Sequence, residues 1–278
     1  NLSTVPTKAT PKRILILGGT GFLGPATIEI AQARGHQVTM FNRGKTRPDL
    51  FPGVARLHGD RDPKKGDGLK ELETGTWDAV IDNTGYIPKY VKQSAELLAP
   101  NVGYCLFVSS ISAYAGFTAP NDEASPTGKL ADIEEETVTN ETYCQITALC
   151  ETYTMGAFTD RACVVRPGYI VGPLDPTDRF TYWPVRAARG GEMLGPGTPQ
   201  DPIQIIDVRD LGAWIVKTIE DKTVGIFNAT GPAETLTMKA MVEGCRAGAG
   251  TSTTFAWETE EALKALGNGA DGEPLYQE

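Results

Sequence analysis

Gly18, Gly21 and Gly24 recur at every third position directly after the apolar run Ile14-Leu15-Ile16-Leu17. Such a turn, at the end of a buried strand and the start of a helix, directs backbone N–H groups and a positive helix end at a pyrophosphate. Gly18 is expected to allow the tight turn, Gly21 to let phosphates approach the backbone, and Gly24 to let helix and strand pack closely. Thr20, Phe22 and Leu23 complete the turn. A second set of reactive groups, Ser109, Ser110 and Ser112, follows another apolar run, 104–108. Read alone, each of these hydroxyls serves equally to cap a turn or to act on a ligand.

Regular elements must hold both sets in place. The helix after the glycines carries Phe22, Ile28, Ile30 and Ala31 on its apolar side, and a second strand spans 37–41. Its end reads Asn42-Arg43-Gly44-Lys45. In a dinucleotide fold a carboxylate at this place accepts from the 2′-hydroxyl of NAD, whereas a basic residue accommodates the extra phosphate of NADP. Arg43 and Lys45 therefore favour NADP, with NAD as the alternative. A third strand over 54–58 runs into Asp60 and Arg61, where an acidic residue meets the adenine amino group. The fourth, 77–82, closes on Asn83-Thr84-Gly85, small and polar enough to let the far half of a cofactor pass. A helix over 90–98 precedes the fifth strand and the serines. Residues 116–140 read as a loop or short lid with acidic residues at 134–136, and a helix over 141–155 carries Tyr143. The sixth strand, 161–165, enters Arg166-Pro167-Gly168-Tyr169. This alternation predicts an α/β fold, a Rossmann-type doubly wound parallel sheet. The expected organisation is a flexible arm over 1–12, a dinucleotide-binding domain over 13–171, and a smaller proline- and glycine-rich substrate lobe over 172–278, part of which returns to the main sheet. Its last stretch, 267–278, is weakly patterned.

The chain has 278 residues, a formal net charge of −9 and a pI of about 4.9. An acidic chain repels phosphate backbones over most of its surface, which argues against nucleic acid as the main partner. No apolar run approaches the roughly 20 residues that span a bilayer. Five scattered cysteines suggest neither a disulfide framework nor a metal site, and Cys105 and Cys163 read as buried small hydrophobes. The expected location is the cytoplasm. Export of the folded chain after removal of a signal peptide is the alternative, since the sequence does not start with Met.

Taken in order over about 215 residues, the glycine triplet, Asp60, Asn83-Thr84-Gly85, Ser109 to Tyr114, Tyr143, Arg166-Pro167-Gly168, Gly172-Pro173, Ile206 to Asp210 and Phe227-Asn228 resemble the extended short-chain dehydrogenase/reductase family. The likeness is to its NAD(P)-dependent epimerase/dehydratase branch, and within it to bacterial oxidoreductases related to chloroplast stem-loop-binding proteins. The resemblance implies hydride transfer to or from a carbonyl or sugar hydroxyl, with Tyr143 as acid/base and Ser110 orienting the substrate oxygen. Pro167, Gly168 and Tyr169 would complete the cofactor site, and Ser112 would face substrate.

The family's lysine, four residues after the tyrosine, holds the ribose and lowers the tyrosine pKa. Here that position is Thr147, which can still bond a ribose hydroxyl but carries no charge. An unassisted phenol near pKa 10 is ionised to under about one per cent at pH 7. Alcohol oxidation therefore suffers more than carbonyl reduction. An altered NADP-binding protein, or an RNA-associated one, is the competing expectation. Arg179, Tyr182 and Trp183 lie in the region that closes over substrate in this family: rings to stack on a sugar, nucleotide sugar or ketone, or else the buried side of a helix. Pairing of two chains through the helices after the fourth and fifth strands is also implied, and would need exposed apolar residues on 91–98 and 146–153.

Overall fold

The structure is a computed structural model that describes residues 10–133, 135–259 and 261–262. Expectations for 1–9, for Glu134 and for 267–278 lie outside these residues. In chain order come β1 (Arg13–Leu17), α1 (Leu23–Ala33), β2 (Gln37–Asn42), β3 (Ala55–His58), β4 (Ala79–Asp82), α2 (Pro88–Leu98) and β5 (Cys105–Val108). Then follow α3 (Tyr143–Phe158), β6 (Ala162–Pro167), β7 (Tyr169–Val171), α4 (Tyr182–Ala188), β8 (Glu192–Pro196), β9 (Pro202–Ile203) and β10 (Ile205–Asp207). The last are α5 (Val208–Asp221), β11 (Gly225–Ala229), β12 (Leu236–Thr237), α6 (Met238–Ala249) and β13 (Thr254–Glu258).

Two compact units result. The first runs to Gly168 and takes up Asp207–Thr230; the second holds Tyr169–Ile206 and the chain from Gly231 onward. The division thus lies at Gly168, ahead of the expected 171, and the segment belonging to the main sheet is 207–230.

The first unit is built on a seven-stranded sheet in the order β11-β6-β5-β4-β1-β2-β3. All of its pairings are parallel. Central strands covered on both faces must be apolar throughout, and Ile14 to Leu17 and all of β4 are buried, whereas edge strand β3 is half open. From β1 the chain winds outward through β2 and β3, then crosses to β4 and winds the other way. The carboxyl ends of β1 and β4 therefore flank the point where ligands bind in such sheets.

Helices cover both faces. α1 packs on α5, where Gly212 leaves room for the backbone of Thr27, and Arg34 and His36 pair with Glu220. Lys12, expected in the flexible arm, donates its amide to His36 Nδ1 at 3.1 Å and accepts from the Gln37 amide at 2.8 Å. α2 packs on α3, with Val91, Ile146 and Cys150 turned into a core with Phe107 and Val164. Among the described residues, no exposed large hydrophobic side chain lies on α2 or α3. Burial pushes the thiol of Cys163 up to about 11 and that of Cys150 up to about 12, so both are protonated fillers of the core. No helix among the described residues is long and apolar enough to cross a membrane.

Among the described residues the second unit contains three two-stranded ladders, β7 with β10, β9 antiparallel to β12, and β8 parallel to β13. Trp183, Ala187, Met193, Met241 and Val242 form its core.

Candidate functional site

β1 delivers the chain into Gly18 and Gly19, whose φ angles of +103° and +101° are ones that side chains rarely adopt. A Cβ at Gly18 would stand 2.7 Å from the Thr84 methyl, and one at Gly24 would stand 2.5 Å from the Gly19 backbone. Packing alone demands these two glycines, and Gly24 presses on the turn itself rather than on the strand. Gly21 differs, because a Cβ there meets nothing within 4 Å. It looks onto a cavity of about 370 Å³. α1 starts with no side-chain cap and no acidic residue in its first turn, so its leading amides and positive end are open to an anion.

Thr20, Asn42, Arg43, Lys45, Asp60, Arg61 and Thr84 join Gly18 and Gly21 in the cavity wall. Asn42 is committed to backbone: its amide nitrogen donates to the Gly18 carbonyl at 3.4 Å, and its oxygen accepts from the Gly44 amide at 2.9 Å. Arg43 and Lys45 are exposed at the rim. Arg61 turns inward, donating to Asp82 at 2.5 Å and to Ser94 at 2.6 Å, so its charge is already matched. Asp60 accepts from the Asp62 amide, and Lys65 pairs with Asp62. The Asp62 carboxyl is held below its ordinary value, first by the Lys64 amide that donates to it.

Phe22, Leu23, Gly24, Asn83 and Gly85 are not among the wall residues. Gly85 answers to packing, since a Cβ would lie 2.3 Å from the Phe107 ring. Asn83, beside Gly18, has both polar atoms of its side chain enclosed without a partner. Buried amides are normally paired, and such an orphan next to an open cavity suits a polar ligand.

The serine edge is organised differently. Ser110 Oγ accepts from the Ser112 amide at 3.0 Å and heads a single 3-10 turn over Ile111–Ala113. Accepting there leaves the Ser110 hydroxyl proton free to donate. Cys144, next to Tyr143, points its thiol at the carbonyls of Ala113 (3.6 Å) and Tyr114 (3.2 Å), stitching the first turn of α3 to the serine turn. Tyr143 is half-buried, and Thr147, one turn further along α3, is buried. Tyr86 lines the cavity from an exposed position, and its phenol is raised above the ordinary value, first by desolvation and then by the Tyr143 phenol.

Behind the serines lies a buried charged network. Arg166 donates to Glu151 through Nε at 2.9 Å and Nη2 at 2.6 Å, and Ser109 donates to the same carboxylate. The guanidinium lies 4.6 Å from the Tyr114 ring centre, and Tyr114 donates to Asn228 at 2.6 Å. Burial lowers the Arg166 pKa, but its bonds to Glu151 and Tyr114 outweigh that and leave it raised. Sequence reading missed Glu151 and Tyr86. The signal for Glu151 was its spacing, one helical turn after Thr147 and two after Tyr143, on the same face of α3.

Pro167 ends β6, and the Gly168 amide donates to the Ala229 carbonyl at 3.1 Å, so both serve the sheet edge. Within the second unit, the Arg179 guanidinium lies 4.8 Å from the Tyr169 ring centre. Trp183 is buried in that unit's core, with Tyr182 edge-on to it at 5.2 Å. Arg186 donates to the Gly190 carbonyl, and Arg209 in the first unit is paired with Asp207.

Residues 14–229 match the model of the NAD dependent epimerase/dehydratase family. The chain belongs to that family. An Arabidopsis thaliana relative, the chloroplast stem-loop binding protein of 41 kDa b, is 26% identical over 255 residues, which are 85% of this chain and 63% of that protein. The chain thus spans under two thirds of that relative's length. The crystal structure of the human epimerase family protein SDR39U1 with NADPH superposes with a TM-score of 0.61 at 22% identity, covering 91% of this chain and 85% of that one. The Bordetella bronchiseptica enzyme WbmG, in complex with NAD and UDP, gives 0.69 at 17% identity, covering 97% and 92%. Epimerase/dehydratase membership accounts for the strand order and the glycine turn. Thr147 remains the departure, at the position where the resemblance puts a lysine.

Proposed function

We propose that the chain is an NADP-dependent oxidoreductase or epimerase that moves hydride to or from a carbonyl or sugar hydroxyl. The observation that carries this is the cavity above Gly21, rimmed by Arg43 and Lys45, with the one strand-end side chain that could read a ribose diol, Asn42, committed to backbone. The uncapped α1 amides fit a dinucleotide there. A bound nicotinamide dinucleotide supplies the hydride acceptor or donor. Gly18, Gly21 and the first turn of α1 hold its phosphates, and Arg43 and Lys45 meet the 2′-phosphate. Thr147 offers its hydroxyl to a ribose. Ser110 donates its free proton to the substrate oxygen and fixes its direction. Tyr143 in neutral form gives that oxygen a proton and is left as a phenolate that water must reprotonate, so reduction suffers less than oxidation, which has to start from that phenolate with no cation at Thr147 to stabilise it. A nucleotide sugar, free sugar or ketone is the substrate class, and the UDP held by WbmG supports the first.

Fluorescence titration with NADPH and NADH, followed by turnover at 340 nm over sugar and ketone panels, tests this reading. NADPH should bind more tightly. Tyr143→Phe should lower turnover by about a hundredfold or more while leaving the NADPH affinity unchanged. Thr147 favours a second reading, a dinucleotide-binding protein that has lost the ordinary reaction. Tight NADPH binding with no Tyr143-dependent turnover on any panel would select it. An RNA-binding role draws less support, because the chain carries a net charge of −9.

A further inference from the structure

The loop that leaves β2 grips the glycine turn at two points. Asn42 donates to the carbonyl of Gly18, and Arg47 reaches back to donate through Nη2 to the carbonyl of Gly21 at 3.1 Å. Between these grips, Arg43, Gly44, Lys45 and Thr46 form part of the cavity wall; Arg47 itself is not a wall residue and stands behind Gly21, which is one. The loop therefore straps the turn from Gly18 to Gly21 and presents its own cations over the same space. Arg47 takes a left-handed φ of +43°, a conformation that a non-glycine residue adopts only when its surroundings compel it. Its other terminal nitrogen, Nη1, is enclosed and has no partner. A neutral donor would satisfy the Gly21 carbonyl as well. A guanidinium whose enclosed Nη1 leaves both of its N–H groups unmatched is costly there unless an anion comes close.

We propose that Arg47 is a further dinucleotide-binding residue. It clamps the glycine turn in the shape that receives phosphate and supplies positive charge to the pyrophosphate, the part that NAD and NADP share. Arg43 and Lys45 read the 2′-phosphate, the part that they do not share. This rests on the dinucleotide reading above. The two arginines are separable by ligand, because a pyrophosphate residue affects both dinucleotides equally and a 2′-phosphate residue affects only one.

The test uses the full chain and its Arg47→Met, Arg47→Lys and Arg43→Ala variants, titrated with NADH and NADPH at two salt concentrations. Arg47→Met should weaken both ligands by the same factor, about tenfold, the worth of one charge-assisted hydrogen bond. It should also flatten the salt dependence of both affinities. Arg47→Lys, which keeps the charge and loses the fork, should recover part of the loss and restore the salt dependence. Arg43→Ala should weaken NADPH alone. Unchanged affinities in Arg47→Met would overturn the proposal. So would a loss confined to NADPH, or an equal loss with the salt dependence intact, which would mean a purely structural strap. If the unaltered chain binds neither dinucleotide, the dinucleotide reading falls first and this proposal with it.

Discussion

The glycine turn and the serine–tyrosine edge lie on one sheet but are held by different kinds of force. At the turn, geometry comes from backbone: positive φ at Gly18 and Gly19, contacts that exclude a Cβ at Gly18 and Gly24, and an uncapped helix end. At the serine edge, geometry comes from side chains: the Glu151–Arg166 pair, the Tyr114–Asn228 bond and the Cys144 thiol on the serine turn. A backbone-built site tolerates no Cβ at Gly18 or Gly24, although Gly21 has room for one. A side-chain-built site can exchange one member and keep its shape. At Thr147, where the resemblance puts a lysine, this face of α3 carries no charge, while Glu151, one turn on, holds its arginine.

The largest effect separating the two regions should come from Gly24→Val. The added atoms collide with the Gly19 backbone, which has no flexible end to give way. Dinucleotide affinity should fall by a hundredfold or more, about 3 kcal/mol, or the chain should fail to fold. Near-normal NADPH titration by this variant would contradict a backbone-built cradle. Next in size is the buried pair. Arg166 and Glu151 have side chains only 2% and 6% exposed, so Glu151→Ala leaves an uncompensated charge and should cost about 3–5 kcal/mol in urea unfolding. The double change Glu151→Leu with Arg166→Met should cost much less. In both variants the folded fraction should keep its NADPH affinity, because nothing in the turn depends on the pair. If single and double variants lost the same stability, the network would not be what holds the serine edge.

The same division explains what could be read from the sequence. β1, the glycine turn and α1 are contiguous, and each piece restricts the next, so strand order and cavity follow from one stretch of chain. The serine edge was legible only in part. Ser110 stands where its strand ends, but the residues that fix it, Glu151 and Arg166, are joined by packing across α3 and β6. Arg47 was invisible because its hydrogen bond spans 26 residues and its φ is positive, which an arginine does not advertise as glycine, asparagine or aspartate would. In the second unit, β8 and β13 pair in parallel across a long stretch of intervening chain, and neither alternates clearly enough to be recognised alone. The helices expected to pair two chains carry a related ambiguity. Apolar positions on Val91 and Ile146 are read equally well as a dimer face or as a core, and here the core has them.

The smallest effect concerns the far end of α1. Glu220 accepts two bonds from Arg34, which lower its carboxyl pKa below the ordinary range; desolvation opposes this, and His36 adds to the lowering. Because Lys12 donates to His36 Nδ1, Nε2 is the nitrogen that donates to Glu220. A carboxyl depressed in the folded state contributes stability that is complete above its unfolded value, about 4.3, and is lost as pH falls through the lower folded value. Glu220→Gln should therefore cost about 1 kcal/mol near pH 7, a modest figure because Arg34 is 29% exposed, and the gap to the unaltered chain should close as the pH is taken below about 4. A gap that widens on acidification would reverse the assigned sign. The variant should also bind NADPH as the unaltered chain does. The clasp lies at the end of α1 remote from the turn, and the turn is shaped by contacts within Gly18 to Gly24, by Thr84 and by the loop strapped across it. A loss of affinity in Glu220→Gln would mean that the cradle is held through the whole length of the helix instead.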